Sequence, residues 1–329
     1  MKRLSFIFII ILLCGLIHGC SVKPAEPLSH TEVIFDTVVT IQIYGTQDSS
    51  ILDDCFALCR AYEQKLSRTI DSSEISQLNH AGGAAVTVSD DTLELIQKGL
   101  YYSEISGGNF DITVAPLSEL WDFKNNSGDI PDAQALAEAR SHVNYQNVIV
   151  DCDAGTVRLA DPKAGIDLGG IAKGYIADKT KEFLLERGIE HALINLGGDV
   201  LTVGGKPDST AYHIGIQKPF ADSGETITAV SASSLSVVTS GIYERYFETN
   251  GNIYHHILDP RTGYPFENDL YGVTILSESS AKGDALSTIC LSLGLEQGLS
   301  LINRTKDVEA LFITQDYQLY YSDHFKQAD

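Results

Sequence analysis

Gly165-Ile166-Asp167-Leu168-Gly169-Gly170-Ile171-Ala172-Lys173-Gly174-Tyr175 leads into a helical pattern to Arg187 and a stop at Gly188; Ala192-Leu193-Ile194-Asn195-Leu196-Gly197-Gly198-Asp199 follows. The first glycine pair opens a helix predicted over residues 171–187. The second ends a strand predicted over residues 192–196, and two adjacent glycines there suit a tight turn. Outward from this unit, helices and strands are mixed without the regular alternation of a doubly wound sheet. Helices are predicted over residues 52–66, 73–79, 91–105, 132–142 and 281–293. Asp91 with Glu94 reads as a capping box for the third of these, and Gly107-Gly108 as its stop. Residues 33–44 and 273–276 are predicted strands, with several more up to residue 238. Residues 148–150 and 157–159 form a hairpin around Asp153-Ala154-Gly155. Residues 110–117 make an apolar stretch ending at Pro116, and residues 312–321 two closing strands. The fold class that follows is α+β, with mostly antiparallel mixed sheets and flanking helices.

The N-terminus speaks to compartment. Lys2 and Arg3 precede an uncharged apolar run over residues 4–17, short for a membrane span but suited to a signal-peptide core. Ile17-His18-Gly19-Cys20 resembles a bacterial lipobox, in which cleavage leaves a lipid-bearing cysteine. The expectation is a lipoprotein signal peptide over residues 1–19, a tether over residues 20–30 and a folded domain over residues 31–329. The protein would then sit at the cell membrane, lipid-anchored through Cys20 and extracytoplasmic, on the periplasmic side or the cell surface. Of the remaining cysteines, Cys55 and Cys59 lie four apart on one helix with no nearby His or third Cys, so they read as small buried apolar residues. No disulfide framework is expected.

The formal net charge is -21. Such acidity argues against nucleic acid as a partner, because phosphate contacts need clustered Lys and Arg. It also means that a bound anionic ligand needs a local remedy: a metal ion, a helix N-terminus or a placed lysine.

Five stretches carry chemistry. Gly107-Gly108-Asn109-Phe110-Asp111-Ile112-Thr113 lets a backbone approach a flat ligand, although a helix stop followed by a strand gives the same letters. In residues 167–175, Lys173 sits in the first turn of a helix whose amides attract phosphate; an incidental lysine at a helix start is as good a reading of these residues alone. Asn195-Leu196-Gly197-Gly198-Asp199 suits a tight turn. Thr239-Ser240-Gly241 and Tyr243-Glu244-Arg245 precede His255-His256-Ile257-Leu258-Asp259-Pro260-Arg261-Thr262-Gly263, where two adjacent histidines on a strand point to opposite faces. Asp284 and Thr288 share one helix face and offer two hard oxygen ligands of the kind Mg²⁺ takes; an acid complementing the helix dipole is the other reading.

Together and in this order, these stretches resemble the ApbE family of FAD:protein FMN transferases. Phe35-Asp36-Thr37, Leu66-Ser67-Arg68, Ser73-Glu74-Ile75 with Asn79, and Trp121 belong to the same resemblance, which spans residues 31–322. It implies that Phe35, Asn109, Phe110 and Asp111 line the flavin and adenine pockets, and that Asp167 and Lys173 hold FAD. It places His256 and Ile257 beside the pyrophosphate or isoalloxazine, and Thr69 near the cofactor where many members carry an aromatic. Asp284, Thr288 and the Gly170 carbonyl would bind Mg²⁺. The acceptor would be a Thr or Ser hydroxyl in a short motif of a partner protein, typically a subunit of a membrane redox complex. The products would be phosphodiester-linked FMN-protein and AMP. His256 is expected to act as the base toward that hydroxyl, with Asp284 the other catalytic candidate.

Overall fold

A computed structural model of the chain describes residues 26–126, 128–222 and 224–326. The expected signal peptide and Cys20 lie outside these residues. The first strand starts at Leu28, inside the segment expected as a tether to His30.

With strands counted in chain order, an eight-stranded sheet runs β1 (Leu28–Ile34), β2 (Thr37–Ile43), β6 (Ala192–Leu196), β7 (Asp199–Val203), β10 (Ser236–Gly241), β13 (Leu270–Ser277), β14 (Val308–Thr314), β15 (Leu319–Tyr321). Every neighbouring pair is antiparallel. Three small sheets join it. One is β3 (Val86–Thr87), β4 (Val148–Asp151) and β5 (Thr156–Leu159). The others are the hairpins β8 (Tyr212–Gln217) with β9 (Thr226–Ala232), and β11 (Tyr246–Thr249) with β12 (Asn252–His255).

The large sheet is covered on both faces at its centre, which explains why β13 and β14 are buried almost throughout instead of alternating. Val237, Leu276, Leu311 and Ile313 pack with Ile216 and Val230 of the β8–β9 hairpin. Their neighbours Val238, Ile275 and Phe312 point the other way, as the twofold strand period requires. On that side lies α7 (Ser280–Ile302), crossing β7, β10, β13 and β14. Beside it α6 (Ala172–Glu186) packs on β6 and β7, and α1 (Ser50–Leu66) on β1 and α6. By length and composition α7 is apolar enough to cross a membrane; here that apolarity faces the sheet. Its stop, expected at Leu293, is instead a break at Gly294 (φ +75°), after which the helix resumes.

Three other expectations change. The single strand expected over residues 33–44 is the β1–β2 hairpin. Its turn residues Phe35 and Asp36 both have left-handed backbones, φ +58° and +56°, the two-residue turn that matches strand twist but normally recruits Gly or Asn. The capping box at Asp91 and Glu94 does not form. Helix α3 (Asp90–Ile105) follows Ser89, and Asp91 pairs with Lys65 at 2.8 Å while Glu94 accepts the Tyr175 hydroxyl at 2.8 Å. Both acids therefore tie α3 to α1 and α6. Pro116 opens a helix, α4 (Ala115–Trp121), at the position where its missing N–H costs nothing. Two short helices match their signals: α2 (Glu74–Asn79), capped by Ser73, and α5 (Ala133–Ser141), capped by Asp132. Cys55 and Cys59 are buried free thiols in the core between α1 and the sheet.

Candidate active site

Helix α6 meets the start of α7 at Gly174. A Cβ there would lie 2.3 Å from the Ser280 carbonyl oxygen, so only glycine lets the two backbones touch. One turn further along α6, Asp178 fastens the contact. Its carboxylate accepts the Ser280 and Ala281 amides at 2.7 and 3.0 Å and the Ser279 hydroxyl at 2.8 Å. The orphan amides of the α7 N-terminus are thus satisfied by the neighbouring helix. This crossing sets Asp284 beside the first turn of α6, where its Oδ2 accepts the Gly174 amide at 3.0 Å. Asp284 is buried. Because α7 begins at Ser280, Asp284 lies beyond its first turn, so the helix dipole does not account for it.

Lys173 sits one residue before that crossing and forms an ion pair with Asp199, which follows the Gly197-Gly198 turn. Both glycines have positive φ, and a Cβ on Gly197 would meet Thr37 of β2 at 2.3 Å. The turn therefore needs glycine both for its backbone and for its close approach to β2. Burial alone would lower the Lys173 pKa; the carboxylates of Asp199, Asp284 and Glu244 outweigh it and raise it. The ammonium is thus charged throughout the physiological range. Asp284 is pushed up to about 7 by burial and then by Asp199, with Lys173 opposing. Burial also pushes Glu244 up to about 7. Glu244 and His256 contact solvent although protein surrounds them, as side chains lining a recess do.

His255 and His256 do point apart. His255 is buried, with Nε2 at 3.0 Å from the Phe266 carbonyl and Nδ1 accepting the Ile257 amide. His256 turns to the recess, and its Nδ1 lies 3.2 Å from the Arg245 carbonyl. A carbonyl can only accept, so Nδ1 carries the proton and Nε2 keeps a free lone pair. Burial, followed by His255 and Arg245, lowers the His256 pKa to about 3, which keeps the ring neutral.

The Gly165–Gly170 loop closes another side. Asp167 accepts the Gly169 amide at 2.9 Å and pairs with Arg68 at 3.0 Å. A Cβ on Gly170 would meet the Phe110 ring at 2.9 Å, so Phe110 lies against this glycine. Among the described residues the amides of Gly170 and Lys173 have no acceptor. On α7, the Thr288 hydroxyl is 3.1 Å from Ser240, which is 2.7 Å from Ser287.

The structure therefore links Phe110, Asp167, Gly170, Lys173, His256, Asp284 and Thr288 through neighbouring elements. Asp111 is buried, and its carboxylate accepts from Thr113 (2.6 Å to the hydroxyl) and from the Tyr145 amide at 3.0 Å, so it fixes the turn that carries Asn109 and Phe110. Phe35 gives its amide to Glu63 at 2.7 Å. Thr69 is exposed and bonds Ser67, and Ile257 is buried. Arg68, Asp178 and Glu244 lie in or beside stretches quoted above, but their roles, Arg68 as the partner of Asp167, Asp178 as the cap of α7 and Glu244 beside Lys173, were not expected. The role of Asp178 could have been found from its spacing, four residues from Gly174 and so on the same helix face.

A hard cation fits the oxygen donors present. Asp284 is buried with one oxygen free of protein donors, Thr288 offers a hydroxyl on the same helix face, and three carboxylates surround one ammonium. Among the described residues no three His, Cys, Asp or Glu side chains form a metal-ligand group. Such an ion would therefore draw remaining ligands from carbonyl, phosphate and water oxygens, as Mg²⁺ does.

Comparison with known proteins bears on this site. The model of the ApbE family matches residues 35–312. A Klebsiella pneumoniae protein named FAD:protein FMN transferase is 37% identical over 295 residues, covering 89% of this chain and 91% of the relative. A Treponema pallidum protein of the same name is 33% identical, covering 94% and 90%. Among solved structures, the ApbE protein of Thermotoga maritima superposes with a TM-score of 0.85 at 31% identity, over 92% of this chain and 100% of that one. The flavin transferase ApbE of Vibrio cholerae gives 0.79 at 25%, over 92% and 99%.

Proposed function

This chain belongs to the ApbE family, and we propose that it is a Mg²⁺-dependent FAD:protein FMN transferase that forms a phosphodiester bond to a Thr or Ser hydroxyl and releases AMP. The observation that carries the reading is the recess itself: the unclaimed amides of Gly170 and Lys173 at the start of α6 and the charged Lys173 ammonium share it with a neutral histidine whose Nε2 is free. An anionic pyrophosphate fits the first pair and a hydroxyl nucleophile the second.

Lys173, held by Asp199, and the amides of Gly170 and Lys173 bind the pyrophosphate of FAD. Phe110, set against Gly170, offers a ring to stack on a flat group of the substrate. Asp284, Thr288 and the Gly170 carbonyl would hold Mg²⁺, which supplies charge neutralisation on the phosphate oxygens. His256 Nε2, neutral and unprotonated, orients the acceptor hydroxyl and takes its proton only as the new P–O bond forms; its lowered pKa makes it a weak base, so positioning is its larger contribution. That oxygen bonds to the phosphorus on the FMN side, the P–O bond to the AMP side breaks, and AMP leaves with the electron pair. Asp284 serves as a ligand; an acid holding a cation is a poor base.

We place the enzyme outside the cytoplasm, on a membrane through lipid on Cys20, with a membrane redox-complex subunit as acceptor. The test is incubation of the soluble domain with FAD, Mg²⁺ and a candidate acceptor, read by intact mass. An acceptor heavier by one FMN supports transfer; AMP released with no adduct on any acceptor makes the protein an FAD pyrophosphatase. One observation favours some hydrolysis alongside transfer: the small, exposed Thr69 leaves room for water.

A further inference from the structure

Hairpin β11–β12 stands apart from the large sheet and joins the site at both ends, since β11 follows Glu244-Arg245 and β12 runs into His256. One of its faces is firmly mounted. Phe247 stacks on Tyr254 with centroids 5.5 Å apart; Trp121 stacks on Tyr254 at 5.6 Å and Phe123 on Phe247 at 5.6 Å. The other face is closed at its base, where His255 is buried and Tyr246 packs edge-on against Phe220 at 5.1 Å, and open beyond it, where Glu248 and Ile253 are exposed.

The register decides where the main chain points. Thr249 pairs with Asn252 around an Asn250-Gly251 turn, and the His256 amide donates to the Arg245 carbonyl at 3.1 Å. Bonded and non-bonded pairs alternate in an antiparallel ladder. Phe247 and Tyr254 are therefore a bonded pair, while Glu248 and Ile253 direct their N–H and C=O groups outward. Among the described residues, the amides of Tyr246, Glu248 and Ile253 find no acceptor beyond the hairpin. Neither strand holds Lys or Pro, residues that commonly blunt an exposed edge.

We propose that a free edge of this hairpin takes up an extended segment of the acceptor protein as an added β-strand, delivering its hydroxyl to His256. The inference rests on the transfer reading above and names how its second substrate binds. The occupant follows from the layout: whatever pairs with either strand is led directly to Arg245 or His256, where an acceptor hydroxyl has to arrive. Main-chain pairing supplies affinity, and the exposed Ile253 with the outer part of the Tyr246 ring offers contacts to alternate side chains.

The test uses the enzyme with FAD and Mg²⁺ and, as probe, a synthetic peptide spanning the threonine found flavinylated in a membrane protein. Single backbone N-methyl groups are walked along the peptide. The expected result is that methylation at every second residue raises the acceptor KM roughly tenfold and leaves the KM for FAD unchanged. Glu248→Pro or Ile253→Pro, each removing one outward N–H, gives the same split, and the variant that does so identifies the edge. A flat N-methyl series with an unchanged acceptor KM in both proline variants overturns the proposal while leaving transfer standing. No adduct on the unmodified peptide or on its parent protein removes the transfer reading and this one with it.

Discussion

Gly174→Ala is the sharpest probe of how the site is assembled. The added Cβ would sit 2.3 Å from the Ser280 carbonyl oxygen, 2.5 Å from its carbon and 2.7 Å from Ala281 Cα, against 3.4 Å where ordinary contact begins. All three obstacles are backbone, so no rotamer change relieves them. Helices α6 and α7 have to separate by about 1 Å, which costs roughly 1–3 kcal/mol as overpacking. Alanine's better helix propensity returns up to about 1 kcal/mol, leaving a net loss of about 1–2 kcal/mol and a Tm lower by a few degrees. The catalytic loss is larger. The same separation stretches the Gly174–Asp284 hydrogen bond and moves Lys173 away from Asp284 and Thr288. A misplacement of about 1 Å costs on the order of 100-fold in rate. Calorimetry and AMP release under saturating FAD read the two effects. Gly283→Ala is the control, because its Cβ would meet only a Val238 methyl at 3.1 Å and the Ser277 hydroxyl at 3.3 Å. A Gly174→Ala enzyme with wild-type Tm and wild-type rate would refute the reasoning.

Asp284→Ala should abolish Mg²⁺-dependent turnover while changing FAD affinity far less; equal losses in kinetics and in calorimetric FAD binding would remove Asp284 from the metal. Lys173→Met leaves Asp199 buried without its partner and should destabilise the fold by about 3 kcal/mol in urea titration, whereas removing both charges together costs much less. Burial lowers the His255 pKa to about 4, so the folded state holds it neutral while the unfolded chain takes up a proton below about 6.5. Its contribution is complete above that pH and is lost as pH falls toward 4, amounting to roughly 3 kcal/mol; His255→Gln should therefore show a flatter acid limb in Tm against pH. Thr69→Tyr should lower the ratio of free FMN to protein-bound FMN, measured by chromatography and intact mass, and an unchanged ratio would dismiss Thr69 as the route for water.

The α+β class was legible because turn signals and amphipathic helices are local. Gly197-Gly198, the α6 helix and the caps Ser73 and Asp132 all appear where local chemistry puts them. Two misreadings share one cause: a distant partner overrides a local preference. Phe35 and Asp36 take left-handed turn conformations usually filled by Gly or Asn, and the Phe35 amide is held by Glu63, 28 residues away. Asp91 and Glu94 are drawn from capping to Lys65 and Tyr175 by the packing of three helices. In the site, Lys173 and Asp284 were visible as types, but their meeting depends on Gly174, whose lack of a side chain reads in sequence only as a weak helix residue. The Arg68–Asp167 pair spans 99 positions along the chain and leaves no local trace.

The central claim is that the recess moves FMN from FAD to a hydroxyl on another protein. Intact mass spectrometry of an acceptor, incubated with the soluble domain, FAD and Mg²⁺, tests it most directly. The account predicts a covalent gain of one FMN on a Thr or Ser, matched by one AMP released, and no gain with His256→Ala. FAD consumed to free FMN and AMP with every acceptor left at its starting mass would contradict it.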